Sequence, residues 1–280
     1  MTLADLPPLR ESLEAAGLFA RKSLGQHFLL DLNLTRKIAR LAGPLEGETV
    51  VEVGPGPGGL TRALLEAGAR LVAVEKDVRF APMLAAIAER AGGRLEVIQA
   101  DALELADDAL PPGAPIIANL PYNVASPLLV KWLTAPQPPS AMTLMFQKEV
   151  AQRIVAPPGS RTYGRLSVLA QALCEARIVL ELPARAFTPP PKVDSAVVRL
   201  DPRPSRPDAA LIAALQTVTQ AAFGQRRKML RSSLASLGGE ALCQAVGIDG
   251  SVRAETLPVA TFLNLAAKIA SSGTSPSLSN

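Results

Sequence analysis

Apolar and polar positions follow two different rhythms along the chain. Up to about residue 201, short apolar runs end abruptly in glycine, acidic or amide residues. The runs at 49–53, 70–74, 95–98, 115–118 and 142–146 are rich in Val, Ile, Leu and Met and are bounded by turn residues, so they predict buried strands. Apolar residues at helical spacing in 32–41 and 60–67 predict helices between them, and Asp31 is placed to cap the first. A helix near Lys148, an apolar helix at 166–174 and two late strands at 177–182 and 195–200 complete this part. Strands alternating with helices predict an α/β fold with a doubly wound sheet. Pro202-Arg203-Pro204-Ser205-Arg206-Pro207 reads as a linker. Beyond it only helical spacing remains, at 211–223, 228–237, 240–246 and 258–269. The predicted organisation is a helical leader (1–20) with Leu9, Leu13 and Ala16 on one face, an α/β domain (21–201) and a smaller C-terminal all-helical domain (208–270). A small, polar, disordered tail (271–280) ends it. No internal repeat is visible.

Composition narrows the chemistry. Hydrophobic residues are 48% of 280, enough for a sizeable core, but no apolar run reaches membrane-spanning length. The start, broken by Pro7, Pro8 and the charged Arg10-Glu11, does not read as an export signal. The two cysteines, Cys174 and Cys243, lie far apart in apolar helical patterns, which fits a reduced, cytoplasmic protein. With His27 the sole histidine, a histidine-based metal centre or a Ser-His-Asp triad is not expected, and no metal is predicted. A net charge of +4 permits an anionic partner without establishing one.

The strand ends carry the candidate chemistry. The run at 49–53 leads into Gly54-Pro55-Gly56-Pro57-Gly58-Gly59 and a helix. Such a loop lets backbone approach a ligand, and the first amides of the helix attract negative charge. Glu75 ends the next strand about 20 residues on, where a carboxylate accepts from ribose hydroxyls. Asp101 follows the third strand, placed to accept from the amino group of an adenine ring. The fourth strand ends in Asn119-Leu120-Pro121-Tyr122. A turn explains such a sequence in isolation. Beside the other strand-end groups, it suits methyl transfer to an exocyclic amine. The Asn119 side-chain oxygen and the Leu120 carbonyl accept from the amine N–H groups and free its lone pair. Pro121 has no competing N–H, and Tyr122 stacks on the base. Phe187, on the stiff Phe187-Thr188-Pro189-Pro190-Pro191 segment, is a candidate second stacking face or, equally, a core residue. Gln225-Arg226-Arg227-Lys228 with Arg231 is the densest basic cluster, a phosphate contact or a solvated face.

These motifs, with Arg21-Lys22-Ser23-Leu24-Gly25-Gln26-His27-Phe28-Leu29-Leu30, Val51-Glu52-Val53-Gly54-Pro55-Gly56, Val74-Glu75-Lys76-Asp77 and Phe187 through Ser195, stand in family order. The chain resembles the ribosomal RNA adenine N6,N6-dimethyltransferases of the bacterial KsgA (RsmA) type over roughly residues 20–270. The resemblance implies a Rossmann-like methyltransferase sheet and S-adenosylmethionine as methyl donor. It implies dimethylation of two adjacent adenines in a hairpin loop near the 3′ end of 16S ribosomal RNA, within the immature 30S subunit and late in its assembly. Carried over by position, the cofactor residues are His27, Leu29, Gly54, Gly56, Glu75, Asp101 and Asn119. The catalytic residues are Asn119, Leu120, Pro121, Tyr122 and Phe187, and the RNA-binding residues are Arg226, Arg227, Lys228 and Arg231. His27 stands where the family usually has Asn. A monomer is expected. The alternatives are a 23S ribosomal RNA adenine methyltransferase of the antibiotic-resistance type and a non-catalytic ribosome assembly factor. A nicotinamide dehydrogenase is more distant, since hydride transfer has no use for the Asn119 motif.

Overall fold

A computed structural model describes residues 2–21, 24–106, 108–225 and 227–271. The chain forms two compact units, Met1–Ala151 with Arg177–Asp201 and Gln152–Ala176 with Pro202–Asn280. The segment 152–176, expected with the α/β domain, therefore groups with the C-terminal helices.

In chain order the described residues form α1 (Leu9–Ala15), β1 (Phe28–Leu29), α2 (Leu32–Leu41), β2 (Thr49–Val53), α3 (Gly59–Glu66), β3 (Arg70–Glu75), α4 (Ala81–Ala88) and β4 (Leu95–Gln99). Then come β5 (Ile116–Asn119), α5 (Tyr122–Thr134), β6 (Met142–Gln147), α6 (Lys148–Ile154), α7 (Arg165–Leu173), β7 (Cys174–Leu182), β8 (Phe187–Thr188) and β9 (Ser195–Pro202). The last four helices are α8 (Ala209–Gly224), α9 (Leu230–Ser233), α10 (Gly239–Ala245) and α11 (Val259–Ser271).

The main sheet has seven strands in the order β4-β3-β2-β5-β6-β9-β7. The pairs among β4, β3, β2, β5 and β6 are parallel, and β9 runs antiparallel to β6. Parallel strands covered on both faces read as near-continuous apolar runs. Accordingly Val50, Val51, Leu71, Ala73, Ile116, Ile117 and Leu144 are all buried. From β2 the chain grows outward through β3 and β4, then returns to place β5 on the opposite side of β2. That reversal opens a crevice at the carboxyl ends of β2 and β5, where open α/β sheets bind ligands. The loop after β2 is the glycine loop, and the loop after β5 is Leu120-Pro121.

The leader is not one helix. Pro7-Pro8 separate a short turn at Leu3–Asp5 from α1, since a proline ring removes a backbone donor. Leu9 and Leu13 are buried as expected, contributing about 1.5–3 kcal/mol each, but Ala16 is exposed. Leu13 joins the core of the first unit, and the Arg62 guanidinium of α3 donates to the Pro7 carbonyl at 2.8 Å. Asp31 caps α2 as expected, accepting from Asn33 N at 2.8 Å.

In the second unit α8 packs on α11 and α7. Phe223 stacks on Phe262 with ring centroids 5.5 Å apart and meets Tyr163 edge-on at 6.1 Å. This apolar contact, with the buried Val168 and Leu169 of α7, is why segment 152–176 belongs here. The helix expected over 228–237 is shorter: α9 begins at Leu230, and a separate turn follows at Ala235–Leu237. Of the tail predicted as disordered (271–280), Ser271 ends α11 and the remaining residues lie outside the described residues.

Candidate active site

Gly54 sits at the turn out of β2 with φ +70°, a conformation that side chains other than glycine rarely adopt. A Cβ there would lie 3.6 Å from the Pro121 ring. The glycine loop and the Asn119 motif, 65 positions apart by numbering (119 − 54), thus face each other across the crevice. His27, Leu29, Gly54, Gly56, Glu75, Asp101, Asn119, Leu120, Pro121 and Tyr122 all line one cleft. Phe187 does not.

The side of the cleft at the ends of β2, β3 and β4 is held largely by backbone. The buried Glu75 carboxylate accepts from Gly56 N at 2.9 Å and Asp77 N at 2.7 Å. Burial pushes its pKa up, and the amides of Asp77 and Gly56 pull against that shift. Asp101 accepts from Leu103 N at 2.9 Å and from Lys76 Nζ at 2.6 Å. The Lys76 hydrogen bond leads in lowering its pKa. The basic segment before β1 is no solvated linker. Gln26 Nε2 donates to Asp77 at 2.9 Å, while Gln26 Oε1 accepts from Arg21 N at 2.9 Å and from Arg79 at 3.2 Å. Arg79 closes the network on Asp77 at 2.5 Å and holds that carboxyl down to about 2, with Gln26 assisting. At Gly25 (φ +62°) a Cβ would come within 2.9 Å of Asn123 Oδ1, so the segment folds tightly over the start of α5. Lys22 and Ser23 lie outside the described residues.

The facing side is built from the end of β5 and the start of α5. Asn119 closes the strand opposite Met145, Leu120 is buried, and Pro121 precedes the first helical residue, Tyr122. The Tyr122 hydroxyl bonds Ser195 Oγ at 2.6 Å, and burial leads in raising its pKa. His27 stacks on the Tyr122 ring, with centroids 5.5 Å apart and planes at 29°. His27 Nδ1 lies 2.8 Å from the Pro189 carbonyl, which only accepts, so Nδ1 carries the proton in that bond. A neutral ring then keeps its lone pair on Nε2.

Phe187 corrects an expectation. It pairs with Leu29 across the short β1–β8 ladder, is 3% exposed and belongs to the hydrophobic core. Its ring presents no stacking face to the cleft in this structure. The opposite surprise is Glu52. It lines the cleft, yet it is 1% exposed, and its Oε2 has no hydrogen-bond partner among the described residues. Burial is the main cause that pushes its pKa up to about 8; Glu75 adds to the shift and Thr61 opposes it. A carboxylate inside a β-branched run was the signal that could have found it.

In the second unit Arg227 and Lys228 are exposed in the turn before α9, and Arg231 is exposed on α9, 3.8 Å from Glu240. Arg226 lies outside the described residues. Cys174 and Cys243 are free and buried. Among the described residues no helix is long and apolar enough to cross a membrane.

Residues 17–271 match the family described as ribosomal RNA adenine dimethylase. The chain is 63% identical over 268 residues to a ribosomal RNA small subunit methyltransferase A from Phenylobacterium zucineum, covering 95% of this chain and 94% of that protein. It is 66% identical over 249 residues to the protein of that name from Caulobacter vibrioides, covering 88% and 96%. Among solved structures, a dimethyladenosine transferase from Plasmodium falciparum superposes with a TM-score of 0.73 at 26% identity, covering 88% of this chain and 98% of that one. The 23S rRNA methyltransferase ErmE superposes at 0.65, also at 26% identity, covering 86% and 99%.

Proposed function

The chain belongs to the ribosomal RNA adenine dimethylase family, and from that premise we propose that it dimethylates N6 of two adjacent adenines in a hairpin loop near the 3′ end of 16S ribosomal RNA. The donor is S-adenosylmethionine, the substrate particle is the immature small subunit, and the enzyme acts as a cytoplasmic monomer. The observation that carries this reading is the approach of the glycine loop to the Asn119 motif, 3.6 Å from a Cβ at Gly54 to Pro121.

The residues fit the donor. Gly54 leaves space where a side chain would stand, Glu75 is fixed by two amides where it would receive ribose hydroxyls, and Asp101 lines the same cleft, where it would accept from the adenine amino group. When bound, S-adenosylmethionine supplies an electrophilic methyl group on a sulfonium.

An adenine cannot reach this cleft while stacked, so it must leave its stack. The Asn119 side-chain oxygen and the Leu120 carbonyl accept from its two N–H groups, drawing the nitrogen away from conjugation with the ring. Pro121 offers no competing donor. Tyr122, fixed by Ser195, orients the base. Positioning supplies part of the rate. The two acceptors tighten as positive charge grows on nitrogen, and this electrostatic gain needs no strong general base. The methyl–sulfur bond electrons stay on sulfur, the methylated nitrogen cation releases one proton to water, and the neutral amine then keeps one N–H, so one acceptor is unpaired during the second transfer.

The test is product identity. Small-subunit RNA lacking adenine methylation is incubated with methyl-labelled S-adenosylmethionine and digested to nucleosides. Label in N6,N6-dimethyladenosine is expected. Label at a ring nitrogen or a ribose hydroxyl would overturn the assignment of Asn119 and Leu120 to the exocyclic amine.

A further inference from the structure

Helix α5 reaches both sides of the cleft. Its first residue, Tyr122, belongs to the acceptor motif. Lys131 lies about 13 Å further along the helix axis, at 1.5 Å per residue. Lys131 Nζ donates to the carbonyls of Ala102 and Leu103, each at 3.1 Å, and to that of Leu105. An ammonium has three N–H groups and no acceptor, so three carbonyls use it completely.

Those carbonyls belong to the turn that begins at Asp101. Glu104 N and Leu105 N donate to the Asp101 carbonyl at 3.0 and 3.1 Å, and Leu103 N donates to its carboxylate at 2.9 Å. The amides of the turn therefore converge on Asp101, and its carbonyls converge on Lys131. Without the ammonium, three carbonyl oxygens would crowd one another with their negative ends together, and the turn would open. Asp101 and Ala102 line the cleft directly. The other cation on Asp101, Lys76, is 64% exposed, so its ion pair is well screened. Lys131 is only half-exposed and bonds backbone, which fixes geometry more firmly than a mobile surface pair.

We infer that Lys131 is a positioning residue for the methyl donor: by gathering the carbonyls of the 102–105 turn it sets Asp101 against the adenine amino group, and so gives the site its preference for an adenosyl donor. The inference rests on the reading of this cleft as the S-adenosylmethionine site with Asp101 at its adenine end. It ties donor recognition to the helix whose first residue, Tyr122, ends the acceptor motif.

The test measures binding rather than turnover. The full chain, without RNA, is titrated calorimetrically with S-adenosylhomocysteine and with its inosyl analogue, which lacks the exocyclic amine. The wild type is expected to prefer the adenosyl ligand by roughly tenfold or more, the order of a lost hydrogen bond to a charged group. In Lys131→Met the adenosyl affinity falls by about that factor while the inosyl affinity holds, so the ratio collapses toward one. Lys131→Arg restores most of the preference, since its charge remains but its fork differs in shape. A purely structural role for Lys131 would weaken both ligands alike and leave the ratio intact; that result overturns the inference. If Lys131→Met does not fold, Lys131→Gln, with two N–H donors, is read by the same ratio. A wild type that binds neither ligand would instead remove the donor reading on which the inference stands.

Discussion

The two sides of the cleft are made differently. On the side proposed to hold the methyl donor, Glu75 is held by two backbone amides, Asp101 by one amide and by Lys76, and Glu52 is sealed in the sheet. The proposed recognition there leans on the main chain of the fold, so changing it is expected to disturb stability as well as binding. On the acceptor side, the end of one strand and the first turn of one helix present Asn119, Leu120 and Tyr122, and the ring of Tyr122 is held by the side chains of Ser195 and His27. A side chain removed on that side is expected to cost the proposed chemistry while the fold persists.

The largest effect that separates the two is expected from Asn119→Ala. Single-turnover methyl transfer falls by about 10²–10³-fold, the usual cost of one preorganised transition-state contact. RNA affinity in a filter-binding titration stays nearly unchanged. Equal loss of both would sink the role assigned to Asn119 as an acceptor for the amine.

Glu75→Gln is expected to act on the other side. One of the two amides now held by the carboxylate would meet an NH₂ group, at a cost of about 1–3 kcal/mol. Donor affinity by calorimetry and Tm by calorimetric scan should fall together, whereas Asn119→Ala should leave Tm in place. A Glu75→Gln protein with wild-type donor affinity would contradict the assignment of that carboxylate.

A smaller effect lies outside the cleft. Arg227→Glu with Lys228→Glu should weaken RNA binding and reduce the slope of log affinity against log salt by about 1.5–2. Single-turnover transfer at saturating RNA should be retained. An unchanged slope would make those two residues a solvated face.

The smallest effect concerns Glu52. Its carboxyl ionises near 4.5 in an unfolded chain and at about 8 when buried, so the folded protein binds the extra proton between those values. The stabilisation is fully present below the unfolded value and is lost as pH rises through about 8. Tm of the wild type should fall more steeply between about pH 5 and pH 9 than that of Glu52→Gln. Parallel pH profiles for the two proteins would remove Glu52 as the source.

What sequence made visible follows the same division. The apolar runs ending in Gly54, Glu75, Asp101 and Asn119 were legible because a buried parallel strand needs continuous apolar residues, so a polar group at its end stands out. The sheet order that brings those ends together was not in any single run, but glycine after one strand and amide after another marked a shared crevice. Phe187 was ambiguous because burial or exposure of one aromatic depends on strand pairing, here with Leu29. The allegiance of 152–176 was hidden because it rests on contacts with helices more than 30 positions later, α8 starting at Ala209. Lys131 gave no signal at all, since a lysine on a helix reads as solvated until its three carbonyl partners are seen.

The most direct test of the central claim is a competition. Immature small subunits lacking adenine methylation and large subunits are mixed in one reaction with methyl-labelled S-adenosylmethionine, then separated and digested. The account predicts label in the small subunit alone, as N6,N6-dimethyladenosine at two adjacent adenines. Label confined to the large subunit, or none in either despite firm binding to the small one, would contradict it.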